Sequence, residues 1–161
     1  MNIHDFQSKW RGATLKERSA SQEHFIDLCR VLGMPTPAEA DKTGSFYTFE
    51  KGAAKTAGGK GFADVWWRGR FGWEYKGQRA DLNAAYQQLL QYREDLDNPP
   101  LLVVCDLDRF EVHTNYTGTA KRIYAFAIDD LDRPDQIAPG NLSALEVLRA
   151  VFTDPERLRP G

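Results

Sequence analysis

Cysteine is scarce: there are two in 161 residues, Cys29 and Cys105, each inside an apolar stretch. That excludes a disulfide scaffold and a Cys-based zinc site, and it fits buried free thiols in a reducing compartment. Histidine is scarcer than its chemistry would need. His24 and His113 have no companion at the spacing of a metal-binding helix, so both read as structural. No apolar run approaches the roughly 20 residues that span a bilayer. The opening MNIHDFQSKW contains no apolar signal core. A soluble, cytoplasmic protein with no membrane partner is therefore expected. An excess of basic charge is missing as well, the formal net charge being −2. A basic footprint is the usual mark of a nucleic-acid binder, but a site built from carboxylates counts against the Lys and Arg around it, so charge discriminates weakly.

What is present is the make-up of one soluble domain. The chain is 42% hydrophobic and 27% charged, with four Trp, and its length suits a single core without staples. A first helix is expected over residues 14–32, capped by Thr14 with Glu17 at capping-box spacing. Ser21, Phe25, Leu28, Cys29 and Leu32 form its apolar stripe, and Gly33 before Pro35 and Pro37 ends it. Phe46–Glu50 reads as a strand and Lys51–Gly61 as a Gly- and Lys-rich loop. Phe62–Arg68 and Arg70–Lys76 read as a hairpin around Gly69. Ala80–Leu96 reads as a helix with Leu82, Ala85, Leu89 and Tyr92 inward. Leu101–Cys105 suits a central buried strand. Strands over Phe110–Thr114 and Arg122–Ile128, a polar connection over Asp129–Gly140 and a helix over Leu142–Phe152 complete the pattern. The strand–helix–strand unit from Arg70 to Cys105 demands a parallel crossover, while the hairpins add antiparallel neighbours. The expected fold is α/β, a mixed sheet with helices on both faces.

The richest segment is Gly61–Gly77, GFADVWWRGRFGWEYKG. If Arg68, Gly69 and Arg70 make a three-residue turn, Trp67 pairs with Phe71, and counting outward sets Asp64 opposite Glu74. Period-2 alternation then puts Ala63, Val65, Trp67, Phe71, Trp73 and Tyr75 on a core face, with Asp64, Glu74 and Lys76 on the other. Two acids face to face repel, with Cβ atoms about 4.5–5.5 Å apart. A divalent cation between them would offset that repulsion, and hard oxygen ligands suit Mg²⁺. Lys76 would reach the same place as a point charge. The set suits phosphodiester hydrolysis, the cation polarising a phosphoryl oxygen and acidifying a water while Lys76 orients that water or steadies developing charge. The same alternation also describes a half-exposed hairpin in which Lys76 neutralises Glu74, and a two-residue turn would move the acids to a diagonal.

Asp64 followed by Glu74, Tyr75 and Lys76 resembles the D…(D/E)xK signature of PD-(D/E)XK nucleases. Gly61-Phe62-Ala63-Asp64 is similar to the GxxD form of RecB-like members, and Gln88 to Tyr92 on the next helix is similar to their QxxxY motif. A longer likeness extends over about residues 5–155. ERSASQEHFIDLC, PTPAEAD, YTFEKG, WEYKG, AYQQLLQYRE, NPPLLVVCD and FEVHTN resemble the N-terminal domain of Type IIL restriction-modification enzymes, single chains that join a nuclease to an adenine-specific methyltransferase and target recognition. The resemblance implies a restriction-endonuclease-like fold over residues 1–155, with 156–161 starting a linker to helical and methyltransferase regions that lie downstream. It also implies Asp64, Glu74 and the Tyr75 backbone carbonyl as Mg²⁺ ligands (Mn²⁺ able to substitute), Lys76 as the catalytic lysine and Gln88 as a further catalytic residue. S-adenosylmethionine would serve only the downstream domain.

Other candidates are secondary. Glu17, about 60° from Leu32 around the first helix, can flank the sheet and assist a metal, or simply favour the helix dipole; Glu23 faces water. Glu50 at a strand end is weaker still. Lys51, Lys55 and Lys60 could track a DNA backbone, or belong to a solvated loop. That loop is no phosphate-binding P-loop, since Ala54 and Gly61 occupy the places of its first Gly and its Ser/Thr. Asn98-Pro99-Pro100 resembles a methyltransferase NPP(Y/F) motif, but Leu101 replaces the aromatic and no Gly-rich cofactor loop follows a strand, so it reads as a helix stop. The expectation is a Mg²⁺-dependent endonuclease domain acting on double-stranded foreign DNA, associating with a second copy there to cut both strands. The alternative is a catalytically inactive, nuclease-derived DNA-binding or regulatory module of a DNA methyltransferase.

Overall fold

The computed structural model describes residues 1–13, 17–52, 61–77, 81–138 and 140–161, with the backbone alone for 17, 18, 137 and 138. Thr14, the loop lysines Lys55 and Lys60, and the first residue of the expected second helix, Ala80, lie outside the described residues.

An unforeseen helix opens the chain. In α1 (Ile3–Trp10), the Asn2 side chain accepts from the Asp5 N–H, and the Asp5 carboxylate accepts from the Asn2 N–H. This reciprocal cap satisfies two otherwise orphan donors. Its buried Phe6 and Trp10 pack on α2 (Glu17–Leu32), where the Trp10 indole donates to Asp27 at 3.0 Å. All five residues of the expected α2 stripe are buried and Glu23 is exposed. The helix stops at Gly33, whose φ of +68° is open to glycine at no steric cost. There the N–H groups of Met34 and Gly33 return to the carbonyls of Cys29 and Arg30, a Schellman closure. A short α3 (Pro37–Ala40) follows.

Six strands form one mixed sheet in chain order: β1 (Tyr47–Lys51), β2 (Ala63–Trp67), β3 (Phe71–Tyr75), β4 (Leu101–Cys105), β5 (Arg109–Thr114) and β6 (Ile123–Ala127). Only β3 and β4 run parallel, because α4 (Leu82–Gln91) carries the chain back between them. Asp81 caps α4 by accepting from Asn83. The helix ends earlier than its apolar pattern suggests. Leu96 lies past its end, yet it is fully buried and its carbonyl accepts from the Trp66 indole at 2.7 Å. β4 is fully buried along its length, as a strand covered on both faces requires.

The two faces hold separate cores. The larger joins Val65, Trp67, Phe71, Trp73, Tyr75, Val103 and Phe110 to α1, α2 and α5 (Ala144–Thr153). The smaller joins Trp66, Leu102 and Val104 to Leu82, Ala85 and Leu89 of α4. The connection expected to be plain polar loop carries a small ladder, β7 (Gln136–Ala138) with β8 (Leu142–Ser143). After α5 a single 3₁₀ turn, Pro155–Leu158, buries Leu158, whose carbonyl accepts from the Tyr124 hydroxyl. Among the described residues both cysteines are buried and free, and no helix is long and apolar enough to cross a membrane.

Two glycines hold the sheet close. A Cβ on Gly61 would lie 2.7 Å from the Lys51 carbonyl oxygen, which is backbone and cannot turn away. A Cβ on Gly72 would lie 2.9 Å from a Leu96 methyl, the far end of a flexible side chain. Urea unfolding should therefore show Gly61→Ala destabilised by about 1–3 kcal/mol, the usual cost of overpacking, and Gly72→Ala by less. Equal losses would refute this account of the β1–β2 closure.

Candidate active site

The hairpin turn is the three-residue one: Trp67 pairs with Phe71, Trp66 with Gly72 and Val65 with Trp73, and Gly69 has a φ of +75°. The next pair outward is Asp64 with Glu74, and there the ladder changes character. The Asp64 N–H donates to Glu74 Oε1 at 3.1 Å, and the Tyr75 N–H donates to Asp64 Oδ2 at 2.7 Å. Each carboxylate has taken a position that a strand carbonyl would otherwise fill. The two acids thus meet where β2 and β3 fork. Glu74 pairs with Val104, which packs under α4, so Glu74 leans toward that side, whereas Asp64 borders a cleft with Ser21 and Gln22 of α2.

One expected face assignment is corrected. Ala63 packs with Trp66 under α4, not with Val65 on the other face. Beside Asp64 on β1, Glu50 has a left-handed backbone (φ +49°) and drops out of the pairing between Phe49–Val65 and Lys51–Ala63, the point where the alternation slips. A non-glycine residue held there costs on the order of 1–3 kcal/mol and bends the strand locally.

Glu74 is buried to 6% exposure. Burial, then the Asp64 charge and a shared hydrogen bond, push its carboxyl up to about 9, with the Lys76 charge pulling the other way. The pair therefore keeps a proton at neutral pH in the absence of a cation. Lys76 is half-buried beyond Glu74 on the same strand end, and its N–H donates to the Cys105 carbonyl at 2.9 Å. Among the described residues its ammonium closes no ion pair with the acids, so it is near enough to be felt and free to act on something else.

The remaining candidates separate. Tyr75 supplies its N–H to Asp64, and its carbonyl follows Glu74 at the fork. Gln88 is half-buried on α4, and among the described residues no hydrogen bond joins its side chain to the acids. Tyr92 packs, its ring tilted against that of Phe62 with ring centres 4.9 Å apart. Lys51 holds its ammonium 4.2 Å from the centre of the Trp66 ring. Glu17 begins α2, and Ser21, one turn along, lines a narrow cleft with Gln22, Glu50, Asp64 and Tyr75. Glu50, the weakest of the glutamates considered from the sequence, borders the cleft with Asp64, while Gln22 was not foreseen. The only hint was the polar Ser21 in an apolar stripe.

The groups that could hold an ion here are the Asp64 and Glu74 carboxylates and, next along β3, the Tyr75 carbonyl. Among the described residues no group of three His, Cys, Asp or Glu side chains is placed to hold an ion. This still fits Mg²⁺, which commonly binds through one or two carboxylates and keeps several waters. It does not fit zinc, which wants three or four His or Cys ligands.

Comparison with known proteins places the chain within one family: the family model described as "MmeI, N-terminal domain" matches residues 1–157. Searches of curated proteins and of solved structures gave no match.

The raised acidity constant carries a signed expectation. Glu74 keeps its proton in the folded chain, so its stabilisation is complete below its ordinary value of 4.5 and is lost as pH rises toward about 9. Chelator-treated wild type should thus lose stability across that window relative to Glu74→Gln, whose neutral amide has no proton to lose. Chemical unfolding of both proteins at several pH values measures it. A pH-independent difference would mean that the pair is not coupled.

Proposed function

The chain belongs to the family of the N-terminal domain of MmeI, a Type IIL restriction-modification enzyme, and on that footing we propose that it is a Mg²⁺-dependent endonuclease domain that hydrolyses phosphodiester bonds of double-stranded DNA. The observation that carries the reading is the fork itself, where Asp64 and Glu74 exchange carboxylates for backbone amides with Lys76 one step along the same edge. A stable sheet has no use for two facing acids, whereas a cation site does.

Asp64 and Glu74 would hold the ion with the Tyr75 carbonyl, and the bound Mg²⁺ would supply Lewis-acid polarisation of the phosphate and acidification of a water. The other work falls to the chain. The carboxylates must release the proton they share before they can serve as ligands. Lys76 would orient the attacking water or stabilise charge on the phosphate oxygens, where a fixed donor is commonly worth a factor of about 10²–10³. Lys51, at the end of β1, would meet a phosphate, a contact that positions DNA without reading its sequence. One such site cuts one strand, so a double-strand break calls for two copies on the DNA.

Cleavage of supercoiled plasmid by the intact enzyme and Mn²⁺ calorimetry on this domain test the reading together. Lys76→Ala should lose cleavage by about 10²–10³-fold and still bind Mn²⁺. Asp64→Asn, which keeps an acceptor for the Tyr75 N–H, should lose both cleavage and binding and remain folded. Wild-type cutting by either variant would refute the site. No Mn²⁺ binding by the wild type, even at millimolar concentration with DNA present, would assign the chain instead to an inactive module that retains the fold.

A further inference from the structure

We infer that His24 is a positioning residue for the carboxylate pair: through the Tyr75 hydroxyl it fixes the strand end that carries Glu74 and Lys76 and anchors Asp64. The inference rests on the reading of those three residues as the nuclease site.

The hydrogen bonds run in one direction. His24 Nε2 lies 3.1 Å from the Leu107 carbonyl oxygen, and Nδ1 lies 2.8 Å from the Tyr75 hydroxyl. A carbonyl only accepts, so Nε2 carries the proton, Nδ1 is the acceptor and the Tyr75 hydroxyl donates. The ring is wholly buried, with the rings of Phe6, Trp10, Tyr75 and Phe110 centred 5.0–5.8 Å away. Burial depresses its pKa to about 3, so it serves as a neutral group. An apolar side chain would fill such a cage at lower cost. What histidine adds is one donor and one acceptor at fixed angles.

Both ends of this chain of bonds lie at the sheet edge that holds the acids. Leu107 occupies the β4–β5 turn with a left-handed backbone (φ +78°). Tyr75 pairs with Cys105 just before that turn. The Tyr75 N–H grips Asp64, and its two flanking residues point to the opposite face, as the period of two requires. Pinning Tyr75 from the α2 side therefore sets the depth and rotation at which Glu74 and Lys76 emerge on the other. Removal of a group that orients ligands commonly costs 10–100-fold in metal affinity.

Three variants of the whole chain test it: Tyr75→Phe, which keeps the ring, His24→Leu, and His24→Gln, whose amide offers the same donor and acceptor. Mn²⁺ affinity is read by calorimetry and amide hydrogen exchange by NMR. Tyr75→Phe and His24→Leu should weaken Mn²⁺ binding by about tenfold and speed exchange at amides 64 and 75 more than at Val103 in the central strand. His24→Gln should restore both. Wild-type Mn²⁺ affinity in Tyr75→Phe, or exchange rising evenly across the sheet, overturns the inference whatever happens to the melting temperature, and Tyr75→Phe alone decides if His24→Leu does not fold. If the wild type binds no Mn²⁺, the metal reading fails separately, and selective exchange at 64 and 75 still decides whether His24 positions the fork.

Discussion

The fork between β2 and β3 depends on one exchange of partners. Past Val65 and Trp73 the strands no longer bond carbonyl to amide. Glu74 accepts from the Asp64 N–H and Asp64 accepts from the Tyr75 N–H. This is a local departure from sheet geometry, yet the Asp64 and Tyr75 N–H groups both keep an acceptor, which is what makes it tolerable in a buried place. It also forces the two acids together. A pair that must sit side by side with little water can stay only if a proton, or a cation in its place, offsets the like charges.

Much of the remaining structure serves to hold that fork still. β4, buried on both faces, backs β3 in parallel register over five consecutive residues. Gly61 lets β1 approach β2 within a distance that any Cβ would prevent, and Glu50 absorbs the local bend in its own backbone. α2 and α4 close the two faces, so neither acid can swing into a hydrophobic layer without displacing packed side chains. Site precision here comes from strands and not from loops, and strands are stiffer scaffolds for a constellation that must be accurate to about half an ångström.

Sequence reasoning reached the register of this hairpin because its signals are local and periodic. A three-residue turn and an alternation of two decide which residues face each other, and both can be counted along the chain. It reached the α2 stripe and β4 for the same reason. α1 escaped because its start signal, Asn2 with Asp5, is a weaker form of the usual capping pair and its apolar face is short, Ile3, Phe6 and Trp10. The shift of Ala63 to the α4 side coincides with the left-handed Glu50 on another strand, and no pattern within β2 encodes it. His24 looked like an ordinary core residue; its partners, Tyr75 and Leu107, lie 51 and 83 residues away, beyond the reach of any local rule.

The proton on Glu74 connects the chemistry with the fold. A carboxyl that holds a proton near neutrality costs the metal-free chain little, because the buried pair carries one negative charge and not two. On the proposed reading, the same proton would have to leave before a cation could be gripped, so affinity for the ion would rise with pH. A phosphate backbone at the fork would bring its own negative charge and raise the local demand for a cation. A bound ion would in turn remove the reason for Glu74 to stay protonated, so metal and DNA would favour one another through a single titrating acid.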